Sequence, residues 1–147
     1  MIIKFKKLHP SVVLPVKQTD GSSGFDLQCF YDEGDGLLCI EPRKHLLVKT
    51  GLAVEIPAGY ELQIRARSGL ALKHGVTILN GIGTIDSDYR GEIGVILYNT
   101  GDQPFYLRSG DRIAQLVPCQ LPTVTIKAVK ELKDTERGDG GFGSTGN

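Results

Sequence analysis

Tyr60-Glu61-Leu62-Gln63-Ile64-Arg65-Ala66-Arg67 is the stretch that decides the fold. Tyr60, Leu62, Ile64 and Ala66 share one face of an extended chain, while Glu61, Gln63, Arg65 and Arg67 share the other. That period of two marks a strand with one face buried. Directly after it, Ser68-Gly69-Leu70-Ala71-Leu72-Lys73-His74 is the one stretch with helical character. Ser68 is placed to cap a helix of about two turns, Gly75 to end it and His74 to close it at the surface. Outward in both directions, glycine and proline interrupt the chain about every ten residues, and the segments between them are rich in Val, Ile, Leu, Thr and Tyr. Strands are predicted at 2–6, 24–29, 45–56, 60–67, 77–79, 92–99, 105–107, 112–119 and 124–129. Short strands at this spacing predict an all-β sandwich or barrel.

A chain of 147 residues makes one domain with a core that needs neither disulfide nor structural metal. Seventeen basic and seventeen acidic side chains cancel, so no overall field draws the protein to nucleic acid or to a membrane, and neither is an expected partner. Cys29, Cys39 and Cys119 are odd in number and lack C-x-x-C spacing, which predicts reduced thiols buried as small apolar residues in a reducing compartment. Met1-Ile2-Ile3-Lys4-Phe5-Lys6-Lys7 has no apolar run of signal-peptide length, and the expected location is cytoplasmic. His9, His45 and His74 are scattered, without H-E-x-x-H, which argues against zinc. Pro118-Cys119 lacks the second cysteine of the zinc nucleobase deaminases, and no Ser-His-Asp or Cys-His arrangement can be assembled.

The C-terminal segment Arg137-Gly138-Asp139-Gly140-Gly141-Phe142-Gly143-Ser144-Thr145-Gly146-Asn147 has almost nothing that builds a core. Two readings stand side by side. It is a mobile end, as glycine-rich termini are, or it is a ligand grip. In the second reading Phe142 lies on a flat ring, Arg137, Ser144 and Thr145 meet anionic oxygens, and the glycine N–H groups form an anion nest. Gly138, Gly140 and Gly143 match G-x-G-x-x-G, but the flanking strand and following helix of a dinucleotide-binding turn are missing, and Ser144 stands where a P-loop has lysine. The expected organisation is a β-barrel core over 1–133 and a flexible arm over 134–147.

Four other segments carry chemistry-bearing residues. Asn80-Gly81-Ile82-Gly83-Thr84-Ile85-Asp86-Ser87-Asp88-Tyr89-Arg90-Gly91-Glu92 sets carboxylates and an aromatic in a glycine-bounded loop; it reads as a ligand hairpin or as ordinary Asx-turn chemistry. Arg67-Ser68-Gly69-Leu70 joins an arginine to a helix start, either a phosphate site or a capped helix with solvated arginines. Gly24-Phe25-Asp26-Leu27 places a carboxylate at a strand start, as a turn residue or as a partner for a metal's waters. Gln115, within the apolar run Ile113-Ala114-Gln115-Leu116, needs a backbone or ligand partner.

Taken in order, Gly24-Phe25-Asp26-Leu27, Arg67-Ser68-Gly69-Leu70-Ala71, Gly83-Thr84-Ile85-Asp86-Ser87-Asp88-Tyr89-Arg90-Gly91, Gly110-Asp111-Arg112-Ile113-Ala114-Gln115 and Arg137 through Gly146 resemble the five motifs of the trimeric dUTPases, and the match covers nearly the whole chain. The resemblance implies a distorted jelly-roll, or β-clip, barrel with one short helix and a mobile glycine-rich arm. It implies a homotrimer with shared active sites, and hydrolysis of dUTP to dUMP and pyrophosphate with Mg2+. Asp86 is then the catalytic residue, orienting and deprotonating an in-line water. Asn80, Thr84 and Ile85 belong to the hairpin that meets uracil through its backbone, Tyr89 lies beneath the sugar and leaves no room for a 2′-hydroxyl, and Phe142 covers the base. Arg67, Ser68, Gly69 and Gln115 hold phosphates, as do Arg137, Gly143, Ser144 and Thr145 of the arm. Asp26 reaches the metal through waters. The dCTP deaminase branch of the same fold carries an arginine and a glutamate where Leu72 and Ile96 stand, so deamination is disfavoured. A nucleotide-sensing module without turnover is the other alternative, and Asp86 with the complete arm argues against it.

Overall fold

A computed structural model describes residues 1–34 and 36–142. Among these the elements run β1 (Lys4–Lys7), β2 (Phe25–Gln28), β3 (Leu37–Ile40), β4 (His45–Glu55), β5 (Tyr60–Arg65), α1 (Ser68–His74), β6 (Val76–Ile78), β7 (Gly83–Ile85), β8 (Glu92–Asn99), β9 (Phe105–Arg108) and β10 (Arg112–Gln120). Four strands pair in the order β1-β4-β8-β6, four in the order β2-β10-β5-β7, and β3 pairs with β9, every pairing antiparallel. The result is the all-β architecture expected from the spacing of turns and strands, in the distorted jelly-roll form that the resemblance implies.

Alternation explains why the sheets face one another. In β8, Ile93, Val95, Leu97 and Asn99 are buried and the residues between them are only half-covered. Leu62 and Ile64 of β5, Leu27 of β2 and Ile113 and Leu116 of β10 join Val48, Leu52, Val76, Val95 and Leu97 in one apolar cluster shared by both four-stranded sheets. Each fully buried aliphatic side chain contributes about 1.5–3 kcal/mol relative to exposure. Pro118 is tolerated in β10 because β2 stops pairing beyond Leu116, which leaves one edge there without a ladder to break.

Several expectations are corrected. The predicted strand 124–129 does not form: after Leu121 N–H donates to the Gly59 carbonyl at 2.8 Å the chain leaves the barrel, and Val124, Ile126 and Val129 are 69, 93 and 63 % exposed. Its alternation is present, but the segment pairs with none of the edge strands. Ser68 is not the cap of α1. Arg67, still extended at φ −88 and ψ 124, takes the N-cap position without a side-chain cap hydrogen bond, and Ser68 is the first helical residue. Gly75 ends the helix as expected, left-handed at φ 66 with its N–H on the Ala71 carbonyl. Strands β3 and β7 were not foreseen. Leu37-Leu38-Cys39-Ile40 shows no alternation, and β7 lies inside the glycine-bounded loop. A Cβ on Gly83 would stand 3.1 Å from Cβ of Ile64, so glycine is what lets β7 come down on β5. Of the cysteines only Cys29 is interior. Its thiol donates to the Arg108 carbonyl at 2.9 Å, and burial pushes its pKa up to about 11. Cys39 is exposed on the narrow β3–β9 pair, and Cys119 is half-buried where β10 has lost β2. Among the described residues no helix is long and apolar enough to cross a membrane.

Asn99, completely buried at the end of β8, ties the small sheet to the large one. Its Nδ2 donates to the carbonyls of Ile40 at 2.9 Å and Gln103 at 2.8 Å, its Oδ1 accepts from Gly101 N–H at 2.9 Å, and its carbonyl accepts from Arg43 N–H at 2.9 Å. Asn99→Ala leaves the buried Ile40 carbonyl and the part-buried Gln103 carbonyl and Gly101 amide without their partner, and is expected to cost about 1–3 kcal/mol in urea unfolding at fixed protein concentration.

Candidate active site

Strand β7 lies at the edge of its sheet, paired to β5 on one side only, so the N–H and C=O groups of its other side are open to a ligand. Gly81, left-handed at φ 74, turns the chain into it, with the Gly81 N–H on the Ile78 carbonyl at 3.1 Å. The open edge borders a groove of about 290 Å3 lined by Asn80, Gly83, Thr84, Ile85, Asp86 and Tyr89, with Leu47, Gly94 and Ile96 across from them. Five residues expected to act together, Asn80, Thr84, Ile85, Asp86 and Tyr89, are therefore brought together. Asp86 is exposed at the strand's end, and its carbonyl accepts Tyr89 N–H at 3.2 Å in a tight turn.

A second, smaller pocket of about 180 Å3 gathers Asp26, Arg67, Ser68, Gly69 and Gln115, together with Gln18 and Arg112. Register explains the convergence, because Gln115 of β10 pairs with Asp26 of β2 on one side and with Arg65 of β5 on the other. The Asp26 carboxylate is 3 % exposed. Arg112 Nη1 lies 3.0 Å from its Oδ2, Arg67 Nε 3.7 Å from its Oδ1, and Gln115 Nε2 donates to Oδ1 at 3.3 Å. Arg67 also donates to the Arg112 carbonyl at 2.7 Å, which fixes the guanidinium at the pocket. Gln115 thus has its required partner in Asp26. Ser68 and Gly69 line the pocket as the first helical residues, whose N–H groups have no acceptor within the helix. Two cations against one carboxylate leave the pocket with a net positive charge suited to an anion.

Arg112 and Gln18 were missed by sequence reasoning. Arg112 belongs to the quoted Gly110–Gln115 run, and its position two residues beyond a turn glycine was the one available signal. Gln18, in an irregular segment, had none. On the arm, Arg137 Nε donates to the Gly140 carbonyl at 2.8 Å and Phe142 is fully exposed; neither lines the groove or the pocket. Gly143, Ser144 and Thr145 lie outside the described residues.

Groove and pocket are far apart on one chain. Leu62 pairs with Ile85, so Asp86 stands level with Glu61, six positions from Arg67, and at about 3.3 Å per residue that separation is roughly 20 Å. The separation concerns Asp86: one phosphate group does not lie beside both the end of β7 and the Arg67 backbone of the same chain.

Fold and site together define a jelly-roll protein equipped for a ligand with a flat polar edge at one place and an anionic group at another. The dUTPase family model matches residues 11–146. The deoxyuridine 5′-triphosphate nucleotidohydrolase of Wolinella succinogenes is 54 % identical over 146 residues, covering 99 % of this chain and 95 % of the relative, and that of Helicobacter pylori is 49 % identical, covering 99 % and 97 %. Among solved structures, the dUTPase of Staphylococcus bacteriophage 80alpha with dUpNHpp superposes with a TM-score of 0.87 at 27 % identity, over 99 % of each chain. The chain belongs to the dUTPase family.

The buried carboxylate gives a direct test of the pocket. Asp26→Ala leaves Arg67 and Arg112 facing each other without a counter-charge, and is expected to lower stability by about 1–3 kcal/mol, with partial recovery in high salt, read by urea unfolding.

Proposed function

We propose that the chain hydrolyses dUTP to dUMP and pyrophosphate, with uracil in the β7 groove, phosphates on the arginine pocket, and Asp86 as the group that orients and deprotonates the attacking water. Family membership across residues 11–146 supports the activity, and the observation that carries the site is Asp86 at the end of an open-edged strand whose groove fits a base. Alternating backbone N–H and C=O groups read a uracil edge and mispair with the amino group of cytosine. Unpaired buried polar groups of that kind discriminate by about four orders of magnitude. The close backbone of Gly83 and Thr84 leaves no space for a thymine methyl, and the Tyr89 ring excludes the 2′-hydroxyl of a ribose.

In the chemical step the water oxygen bonds to phosphorus in line with the departing group, its proton passes to the Asp86 carboxylate, and the bond to pyrophosphate breaks with the electron pair leaving on oxygen. Arg67, Gln115 and the Ser68 and Gly69 amides hold the phosphate oxygens as charge shifts toward the leaving group.

Magnesium fits the residues present. No group of three or more His, Cys, Asp or Glu among the described residues is placed to hold a metal, and the pocket offers one carboxylate already balanced by two arginines, beside the side-chain oxygens of Gln18, Ser68 and Gln115. That donor set suits an ion carried on triphosphate oxygens with several waters retained, Asp26 meeting those waters. When bound, the ion neutralises developing charge on the pyrophosphate.

The roughly 20 Å between Asp86 and the arginine pocket supports a site assembled from more than one copy, and with it a homotrimer with shared sites. The arm fits the same reading. Beyond Leu121 it carries Val124, Ile126, Val129 and Leu132, all exposed, and residues 134–147 are then the segment that closes over a neighbour's site, Phe142 on the base and Arg137, Gly143, Ser144 and Thr145 on phosphates.

Pyrophosphate release is expected with dUTP and only weakly with dCTP, dTTP and UTP; equal rates on all four would overturn the reading. Asp86→Asn is expected to bind a non-hydrolysable dUTP analogue as the wild type does while kcat falls by about 10²–10⁴-fold. Removal of residues after Thr135 is expected to leave the thermal midpoint within about 2 °C and to abolish most activity, a large drop in the midpoint assigning the arm a structural role instead.

A further inference from the structure

We infer that Gly91 is a positioning residue for the Tyr89 ring, and that its missing side chain sets how strictly the site separates deoxyribose from ribose. The inference rests on the reading of Tyr89 as the sugar filter. Tyr89 is 45 % exposed, so core packing does not fix its ring. Two local features do. Its Oη donates to the Glu92 carbonyl at 2.9 Å, which folds the ring back over residue 91. A Cβ on Gly91 would fall 2.6 Å from Cζ and 3.0 Å from Cε2, and closer still to Oη. The ring therefore occupies the space that any side chain at 91 would take.

Backbone conformation does not demand glycine there. Gly91 is not among the glycines with positive φ, and the three atoms nearest to an added Cβ all belong to the Tyr89 ring. The turn that leads into it is held as well, because Arg90 Nη1 donates to the carbonyls of Ser87 at 2.7 Å and Tyr89 at 2.9 Å, and Glu92 on the other side starts β8. With the backbone tied, the ring is the part that yields. Moving Cζ from 2.6 Å to ordinary contact at 3.4–4 Å takes about an ångström, of the order of the C–O bond that the filter excludes, and it breaks the bond to Glu92.

The test is the ratio of kcat/KM for dUTP over UTP, measured on the full chain for wild type, Gly91→Ala, Tyr89→Ala and the double variant. Gly91→Ala is expected to lower the ratio by about tenfold or more, and the double variant to lower it no further than Tyr89→Ala alone. If Tyr89→Ala lowers the ratio and Gly91→Ala does not, the positioning role is overturned while the sugar filter stands. If Tyr89→Ala leaves the ratio unchanged, the filter itself fails and the inference goes with it. Should Gly91→Ala not fold, adding Tyr89→Ala is expected to restore folding by removing the ring that the new Cβ meets; absence of that rescue overturns the inference.

Discussion

Strand β10 is the constraint on which the arginine pocket depends. Hydrogen-bonded to β2 on one edge and β5 on the other, it sets Gln115 opposite both Asp26 and Arg65, and that one rung fixes three distant pieces of sequence in one place. The carboxylate on β2 is then close enough for Arg112 from β10 and Arg67 from the end of β5 to converge on it. An ion pair of this kind adds little when both partners are solvated. Here the carboxylate is buried, so its partners are obligatory, and the two guanidinium groups that satisfy it are presented to the pocket at fixed positions.

Strand β5 serves both halves of the site, and antiparallel pairing is what keeps those halves apart. One end delivers Arg67 and the start of α1. The other pairs with β7 so that Asp86 emerges beside Glu61. A chain that ran the two strands in parallel would bring both ends to one side. The antiparallel ladder instead sets Asp86 and the arginine pocket toward opposite ends of β5, and the same chain leaves its barrel at Leu121 with Val124, Ile126, Val129 and Leu132 exposed.

What the sequence disclosed depends on whether a residue's role is local. The face alternation of 60–65 and 92–99 is a property of consecutive residues, and both strands form where expected; α1 is delimited by Gly75, whose left-handed conformation is likewise local. Strand β3 has no alternation to read, and β7 exists because a glycine meets Ile64 on a different strand. At 124–129 the period-two pattern is present and the strand is not, since alternation alone does not bring a segment to a sheet edge and this one leaves the barrel after Leu121. The same division runs through the site. Asn80 to Tyr89 are contiguous and were legible as a unit, whereas Arg112 acts on a carboxylate 86 positions away, a relation that only the β2–β10 register creates.

The glycines fall into two populations that composition cannot separate. Gly59, Gly75 and Gly110 have positive φ at turns and a helix end, and Gly51 has it where the register of β4 shifts, conformations that favour glycine. Gly24, Gly83 and Gly91 do not, yet each would place a Cβ about 3 Å or less from a particular side chain: Gln115, Ile64 and Tyr89 respectively. Gln115 lines the pocket, while Ile64 and Tyr89 line the groove. The second population therefore acts by omission. It shapes the positions of side chains that line the groove and the pocket, and at Gly83 also the approach of β7 to β5, so that a single added methyl group at any of the three presses on a neighbouring side chain.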